Sequence, residues 1–314
     1  MKMHSRNGMH FHLTFQTSYN KQSMKRQTVS IKNIVIAVHP SSQEAMNVGQ
    51  QVCDFIRQNW GFTPFIERVN NPSLQTQVAE GCFDLMITLG GDGTMLRAGH
   101  LCAPVGLPLL GINLGRFGFL MQLSPEDWQK ELPRVFNGSF SFEERMMLKV
   151  EHWRGKQLLH TDQVINEIVV ARGQIVRPIR IQASVDGYPL ASYVADGLIA
   201  ATPTGSTAYA LAVGGPIMPP ELRNILIVAV APHLSMDRAI ILPAGASVEI
   251  ITNTDHEAVF SVDGHTPVHL ENDDKVVVKV SDNTVKFLVF QDPGYFYRNL
   301  EHYLEQNPSI GGGK

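Results

Sequence analysis

The chain has 314 residues, and at about 150 residues per domain this length predicts about two domains. Hydrophobic residues make up 44% and charged residues 18% of the chain, a balance that excludes disordered, collagen-like and coiled-coil proteins. The formal net charge of -3 provides no overall basic field, so neither nucleic acid nor a membrane is expected as a partner. Any anion that the protein binds must therefore be held by a local site.

The cysteines and the first thirty residues indicate where the protein works and where its fold begins. Cys53, Cys82 and Cys102 show no C-x-x-C spacing, which favours a reducing, cytoplasmic location and supports neither a disulfide framework nor a zinc site.

Residues 1–30 contain no acidic residue and no regular apolar period. We interpret them as a disordered tail or a wrongly assigned start, with Met24 as the natural first residue, rather than as a transit peptide.

From residue 31 to residue 141, short apolar runs alternate with amphipathic stretches. Ile34 to Val38 is typical of a buried strand, and Ser41 followed by Glu44 forms a capping box that predicts a helix to Trp60. The repeated alternation predicts a parallel, doubly wound sheet. The remaining predicted strands are 63–66, 85–89 and 109–112, and the remaining predicted helices are 72–80, 94–102 and 124–136.

Beyond residue 141 the pattern changes to short β-rich segments separated by turn formers such as Asp186-Gly187 and Asp263-Gly264. These segments predict a mainly antiparallel β domain over residues 142–293, with a single helix from Ser206 to Val213. Residues 294–314 are predicted to contain a terminal helix that packs back on the first domain. The predicted fold class is thus an N-terminal doubly wound parallel α/β domain, over 31–141, followed by this β domain.

The sequence from Leu89 to Thr94, Leu-Gly-Gly-Asp-Gly-Thr, follows a predicted buried strand, at the end where doubly wound sheets bind ligands. Its glycines allow backbone N–H groups to approach phosphate oxygens, and the next helix directs its positive N-terminus to the same place. A carboxylate among phosphates is unfavourable unless it accepts a proton or helps to hold magnesium, so we predict that Asp92 is a general base. On its own, the motif is better explained as a glycine-rich turn in which Asp92 caps the helix.

Two further polar segments strengthen the functional interpretation. The block from Asp196 to Pro216 carries the hydroxyls of Thr-Pro-Thr-Gly-Ser-Thr and then Tyr209, which suit sugar, phosphate and a flat base. Asn166-Glu167 interrupts an apolar run, and at a strand end both side chains can reach a ribose diol. From these residues alone, a turn at an edge strand explains the pair equally well.

From about Ile34 to Tyr297 the sequence resembles the NAD kinases. The motifs that carry this resemblance are Gly90 to Thr94, which other kinase families share, together with Asn166-Glu167, Gly111 to Leu120, Asp196 to Pro216 and Pro232-His-Leu-Ser. The resemblance implies an NAD kinase/diacylglycerol kinase-like fold. It implies transfer of the terminal phosphoryl group of ATP, or of polyphosphate, to the 2′-hydroxyl of the adenosine ribose of NAD. The resemblance further implies Mg²⁺ or another divalent metal as cofactor. It also implies a homo-oligomer, either a dimer or a tetramer.

The resemblance also implies a role for each matched residue, with no side chain assigned as a metal ligand. Asp92 would activate the ribose hydroxyl, Gly91, Gly93 and Thr94 would face phosphate, and Asn166 and Glu167 would hold the adenosine. The further nucleotide-binding positions are Arg97, Phe119, Arg177, Asp196, Thr207, Ala208, Tyr209, Ala212, Ala231 and His265. The sequence departs from the family pattern at Ala201, Ala210, Ala212 and Ala239, where serine or proline is usual.

Other classes of nucleotide-binding protein are excluded or remain open. No Gly-Lys-Ser/Thr follows the glycine motif, which excludes a P-loop, and no complete G-x-G-x-x-G supports a dehydrogenase. A lipid or sugar kinase with the same glycine motif remains an alternative, although those families lack the block from Asp196 to Pro216. A dinucleotide sensor without catalysis is the second alternative, but such a module would not need Asp92.

Overall fold

The structure is a computed structural model that describes residues 31–115, 118–233, 236–292 and 294–306. The predicted tail, residues 1–30, and residues 307–314 of the predicted C-terminal segment lie outside the described residues. Two of the motifs that carry the resemblance are described in part, without Arg116, Phe117, Leu234 and Ser235. Within the described ranges, no helix is both long enough and apolar enough to cross a membrane.

Four parallel strands form the first part of the structure, and their order in the sheet is 65–68, 34–38, 85–90 and 109–113. One face packs against the long first helix through Val52 and Ile56, and the opposite face packs against the third helix through Met95 and Ala98. Helices on both faces confirm the predicted doubly wound arrangement. The elements are β1 (Ile34–Val38), α1 (Gln43–Trp60), β2 (Phe65–Arg68), α2 (Pro72–Ala79), β3 (Leu85–Gly90), α3 (Asp92–Cys102), β4 (Leu109–Asn113), α4 (Trp128–Glu131) and α5 (Pro133–Phe136).

Two local predictions in this part are wrong. The residue that caps α1 is Ser42 rather than Ser41, because the Ser42 hydroxyl oxygen accepts from the Ala45 N–H at 3.1 Å. The predicted helix 124–136 is a turn followed by α4 and α5, which meet at Pro133. Proline has no N–H to continue the helical hydrogen bonds, so the regular helix is interrupted there.

The second part is a pair of sheets that pack face to face. The antiparallel half of a ten-stranded sheet covers a six-stranded sheet, with side chains such as Leu148, Leu198 and Phe260 between them. The order of the strands in the six-stranded sheet is 240–243, 224–230, 197–201, 167–172, 258–262 and 268–270. The fold class is therefore confirmed. The elements are β5 (Ser141–Arg154), β6 (Gln157–Val164), β7 (Glu167–Arg172), β8 (Ile179–Val185), β9 (Tyr188–Ala195), β10 (Gly197–Ala201), α6 (Tyr209–Ala212), β11 (Asn224–Val230), β12 (Ile240–Pro243), β13 (Val248–Asn253), β14 (Ala258–Val262), β15 (Val268–Leu270), β16 (Lys275–Val289) and α7 (Tyr295–Gln306).

The strand β16 joins the two parts into one sheet. It pairs in antiparallel fashion with β5 and β13, and at Phe287 it lies parallel to Leu109 of β4. The predicted domain division at residues 141 and 142 falls at the start of β5, but this sheet continues across it. The division thus stays a prediction.

Two short segments position residues near the predicted site. The predicted helix from Ser206 to Val213 is instead a 3₁₀ turn at Gly205–Thr207 followed by the four-residue α6. Small residues and the close approach of Gly205 to the Asn166 backbone account for this short and broken helix. The terminal helix α7 reaches the loop after β4, where its Tyr303 ring stacks on Phe119 with the ring centroids 4.7 Å apart.

Candidate active site

The glycine-rich motif forms the turn between β3 and α3. At Gly90 a Cβ would lie 2.4 Å from Oγ1 of Thr94, so this tight turn accepts only glycine. Gly91 and Gly93 differ, because among the described residues no atom beyond their chain neighbours and the backbone of the helix lies within 4 Å of the position that a Cβ would take. The space beside them is open at the N-terminus of a helix, the place where backbone N–H groups bind anions. Thr94, in contrast, is only 1% exposed and lies beneath the turn.

The side chain of Asp92 is enclosed by the loop that follows β4. Its Oδ2 accepts from the Phe119 N–H at 2.9 Å, and its Oδ1 accepts from the Leu120 N–H at 3.2 Å. A Cβ at Gly118 would lie 2.2 Å from the carboxylate, so glycine is required there as well. Desolvation raises the pKa of the Asp92 carboxyl above its usual value, although the two N–H groups and the charge of Arg145 oppose that rise. A fixed carboxylate with a raised pKa is suited to accept a proton.

The arginine beside this carboxylate, Arg145 of β5, was not found by sequence reasoning. Its side chain is 7% exposed, pairs with Glu143, and holds its guanidinium 4.8 Å from the ring centre of Phe287. Arg145 shares a small cavity with Phe119, Thr204 and Thr207 and with a residue of α7. The available sequence signal is an arginine that is followed directly by an apolar strand run, Met-Met-Leu. That pattern does not indicate that the charge of the arginine acts on Asp92.

The residues before β7 pack directly against the hydroxyl-rich block. The Thr202 hydroxyl donates to the Ile165 carbonyl at 2.6 Å, and the Thr202 N–H donates to the Asn166 carbonyl at 2.9 Å. A Cβ at Gly205 would lie 2.1 Å from the same Asn166 oxygen, so the two segments approach as closely as a glycine permits. The alternative of an edge-strand turn is wrong, because β7 lies between β10 and β14.

Glu167 is a buried carboxyl at the start of β7. The residue is 8% exposed, and its carboxylate accepts from the Tyr209 N–H, while within the described residues its Oε2 has no hydrogen-bond partner. Desolvation, together with the nearby charge of Asp263, raises the pKa of Glu167 to about 8. At neutral pH this side chain is largely protonated and has one oxygen available for a hydroxyl-bearing ligand.

The remaining predicted residues divide into two groups. Phe119 and Thr207 line the cavity beside Arg145, and the His265 ring lies 5.1 Å from that of His100 on α3. Ala208 lies next to Tyr209, which is 43% exposed. The others lie at the surface or pair elsewhere: Arg97, Arg177, Ala212 and Ala231 are exposed, and Asp196 pairs with Arg172 at 3.2 Å. The roles of both groups stay predictions.

Solved structures of nucleotide kinases share this fold. A yeast NADH kinase complexed with NADH superposes with a TM-score of 0.78 at 22% sequence identity, covering 91% of each chain. An NAD kinase from Archaeoglobus fulgidus in complex with ATP superposes with a TM-score of 0.68 at 24% identity, covering 88% of this chain and 100% of that one. The chain therefore shares its fold with these kinases, and in this fold a glycine-rich strand-to-helix turn lies beside an antiparallel sheet.

Sequence relatives narrow this class to one family. Residues 70–140 match the ATP-NAD kinase N-terminal domain, and residues 165–290 match the ATP-NAD kinase C-terminal domain. The chain is 32% identical over 285 residues to the NAD kinase of Dehalococcoides mccartyi, covering 88% of this chain and 97% of that relative. It is 38% identical over 233 residues to the NAD kinase of Chloroflexus aggregans, covering 74% and 84%. The chain belongs to the NAD kinase family, the enzymes that phosphorylate NAD to NADP, and neither alternative class is retained.

Proposed function

We propose that ATP is the phosphoryl donor and that Asp92 is the general base of this NAD kinase. In the proposed step, the 2′-oxygen of the adenosine ribose forms a bond to the terminal phosphorus of ATP. The bond from that phosphorus to the bridging oxygen breaks and ADP leaves, while the hydroxyl proton passes to Asp92. The observation that carries the proposal is the desolvated Asp92 carboxylate, held by two backbone N–H groups beside an open space at a helix N-terminus.

The donor phosphates are proposed to lie at the turn between β3 and α3. Helix α3 has 11 residues, and its first N–H groups lie beside the open space at Gly91 and Gly93. Such N–H groups, with the positive end of the helix dipole, stabilise phosphate charge. The related Archaeoglobus fulgidus kinase was solved in complex with ATP, which supports ATP over polyphosphate as the donor.

The acceptor is proposed to bind where the turn before β7 meets the hydroxyl-rich block. Asn166 provides an amide, and Glu167 provides a carboxyl with one available oxygen. Tyr209 is exposed beside them, so its ring is available to a flat base. The related yeast kinase was solved with NADH, which supports a dinucleotide at this site.

The described residues do not form a metal site of their own. Among them, no group of three or more His, Cys, Asp or Glu side chains is placed to hold a metal ion. Magnesium commonly binds through substrate phosphates and waters with one or two carboxylates, so the phosphates of ATP would supply most ligands. No step of the proposed reaction depends on a metal ligand of the chain. The predicted homo-oligomer and cytoplasmic location stay predictions.

The proposal is tested by product analysis with defined donors. The purified chain is incubated with NAD and either Mg-ATP or Mg-polyphosphate, and NADP is measured, with NADH tested in parallel as acceptor. ATP is expected to give the faster formation of NADP. Equal or faster formation with polyphosphate would contradict the proposed donor. Formation of NADP that survives the replacement of Asp92 would contradict the proposed base.

A further inference from the structure

We propose that His100 and Asp263 are positioning residues that fix residues 165–167, the acceptor turn, against helix α3. The inference rests on the proposed roles of Asp92 and of the Asn166-Glu167 pair. The hydrogen bond between His100 of α3 and Asp263 of the loop after β14 contributes to the alignment of donor and acceptor.

Asp263 holds the acceptor turn through its carboxylate. Its side chain is 0% exposed. Oδ2 accepts from the Ile165 N–H at 2.8 Å, and Oδ1 accepts from the N–H groups of Asn166 at 2.8 Å and Glu167 at 3.0 Å. In addition, the Asp263 N–H donates to the Glu167 carbonyl at 3.0 Å. Three consecutive N–H groups bonded to one carboxylate define the backbone of the turn.

The backbone of Asp263 is itself specialised for this contact. Its φ is +47°, in the left-handed region that non-glycine residues rarely occupy, and Gly264 follows with a φ of +73°. A residue remains in such a conformation where the surrounding contacts favour it, and such residues are common at functional sites. His265, two residues further on, is one of the predicted dinucleotide-binding residues, and its ring lies beside that of His100 at an interplanar angle of 46°.

His100 connects this assembly to the helix that begins at Asp92. Its Nε2 donates to Oδ2 of Asp263 at 2.8 Å, and its side chain is largely buried. His100 follows Asp92 by eight residues in α3, which is about 12 Å along the helix axis. At the adjacent Gly99 a Cβ would lie 2.6 Å from Cδ1 of Ile165, so the helix lies directly against the acceptor turn.

This contact matters because the two proposed half-sites belong to different sheets. Among the described strands, Asp92 follows one of the ten-stranded sheet and Glu167 begins one of the six-stranded sheet, and the two sheets share none. The chain leads from β6 of the ten-stranded sheet into residues 165–167, and beyond this covalent link their position against α3 is fixed by side-chain contacts such as that of His100 with Asp263. In phosphoryl transfer, a displacement of about 1 Å can lower the rate by about a hundredfold.

The variant His100→Phe tests the proposal, because it removes the hydrogen bond but keeps a ring beside His265. We expect kcat for NADP formation to fall by about tenfold, whereas the Kd for NAD, measured by calorimetry without donor, changes by less than about twofold. The Kd is retained because Asp263 still holds the turn. His100→Gln, whose amide can donate to Asp263, is expected to recover at least about a third of the parental kcat. His269→Phe, an exposed histidine of β15, is the matched control and is expected to behave as the parent.

Three results would overturn the proposal. The first is a His100→Phe enzyme with parental kcat, and the second is a Gln variant that recovers nothing. The third is a parallel loss of NAD affinity and melting temperature, which would indicate a general structural role. If the Phe variant does not fold, His100→Asn, whose shorter amide does not reach Asp263, is held to the same criteria. Failure of the proposed function gives a different result. The parent enzyme would then make no NADP from ATP, or a variant without Asp92 would retain turnover.

Discussion

The turn at Asp92 and the turn at Glu167 each remove a carboxyl group from water, but they satisfy it differently. Both oxygens of Asp92 accept from backbone N–H groups of one loop. Glu167 accepts from the Tyr209 N–H, lies near a second acid, and within the described residues has one oxygen without a partner. The first arrangement fixes the orientation of a group, as a base requires, and the second keeps a hydrogen-bonding position for a ligand.

The largest expected effect comes from replacing the fixed carboxylate. Asp92→Asn is nearly isosteric and removes the proton acceptor, so kcat is expected to fall by about 10²–10⁴-fold, the usual contribution of a general base. The Kd for NAD should stay within about twofold, because the acceptor turn is unchanged. Steady-state kinetics and calorimetry measure both quantities. Turnover within about threefold of the parent would remove Asp92 from the role of base.

A smaller effect is expected at the acceptor turn. Asn166→Ala removes a side-chain hydrogen bond that the substrate makes in both the ground state and the transition state, so the KM for NAD should rise more than kcat falls. Loss of a buried hydrogen bond corresponds to about 1–3 kcal/mol, or roughly tenfold to a hundredfold in affinity. The KM for ATP should change far less. If only the melting temperature changes, Asn166 shapes the turn and does not bind NAD.

The charge beside Asp92 should set the pH range of activity. Arg145 lowers the pKa of Asp92, so Arg145→Met is expected to raise that pKa and to move the acidic limb of the kcat/KM profile to higher pH. Arg145→Lys keeps the positive charge and is the matched control, with a smaller shift expected. An acidic limb at the parental pH in the Met variant would show that the Arg145 charge does not act on the base.

The smallest expected effect is on stability and belongs to Glu167. Its pKa in the folded protein is raised to about 8, so between its unfolded and folded pKa values the native state binds more protons, and stability falls as pH rises. Glu167→Gln removes this dependence. The variant should melt near the parental temperature at about pH 5 and a few degrees above it at about pH 8. Melting curves at both pH values test this, and an equal difference at each would contradict a raised pKa.

Local sequence patterns were sufficient for one half of the candidate site. Gly90 to Thr94 is contiguous, and its glycines and carboxylate follow a buried strand, so its place in the fold could be predicted. The element types of the first part were predicted for the same reason. Errors occurred where a single hydrogen bond decides the boundary, as at Ser42, or where proline interrupts a helix, as at Pro133.

The other half of the site depends on residues that lie far apart in the chain. His100 and Asp263 are separated by 163 positions, and Asp263 is 97 positions from Asn166. Periodicity predicts strands and helices but not which loops meet, so Asp263 was recognised only as a turn former. The place of Arg145 in the site could not be predicted for the same reason, because its contact with Phe287 joins two strands that are far apart in sequence.

The crossing strand β16 has a consequence for how the chain folds. Residues 275–289 complete the edge of β4 at Leu109 and contribute Phe287 and Leu288 to the cores on the two faces of the parallel sheet. During synthesis, the first 141 residues leave the ribosome with that edge unpaired at Leu109, while Gly111 and Asn113 already bond to residues 122–123. Exposed strand edges promote aggregation. The long sequence separation also slows folding, because the ends of a large loop must meet before the sheet is complete. The edge of the parallel sheet at Leu109, and the cores on both of its faces, are therefore expected to be completed only after β16 has been synthesised.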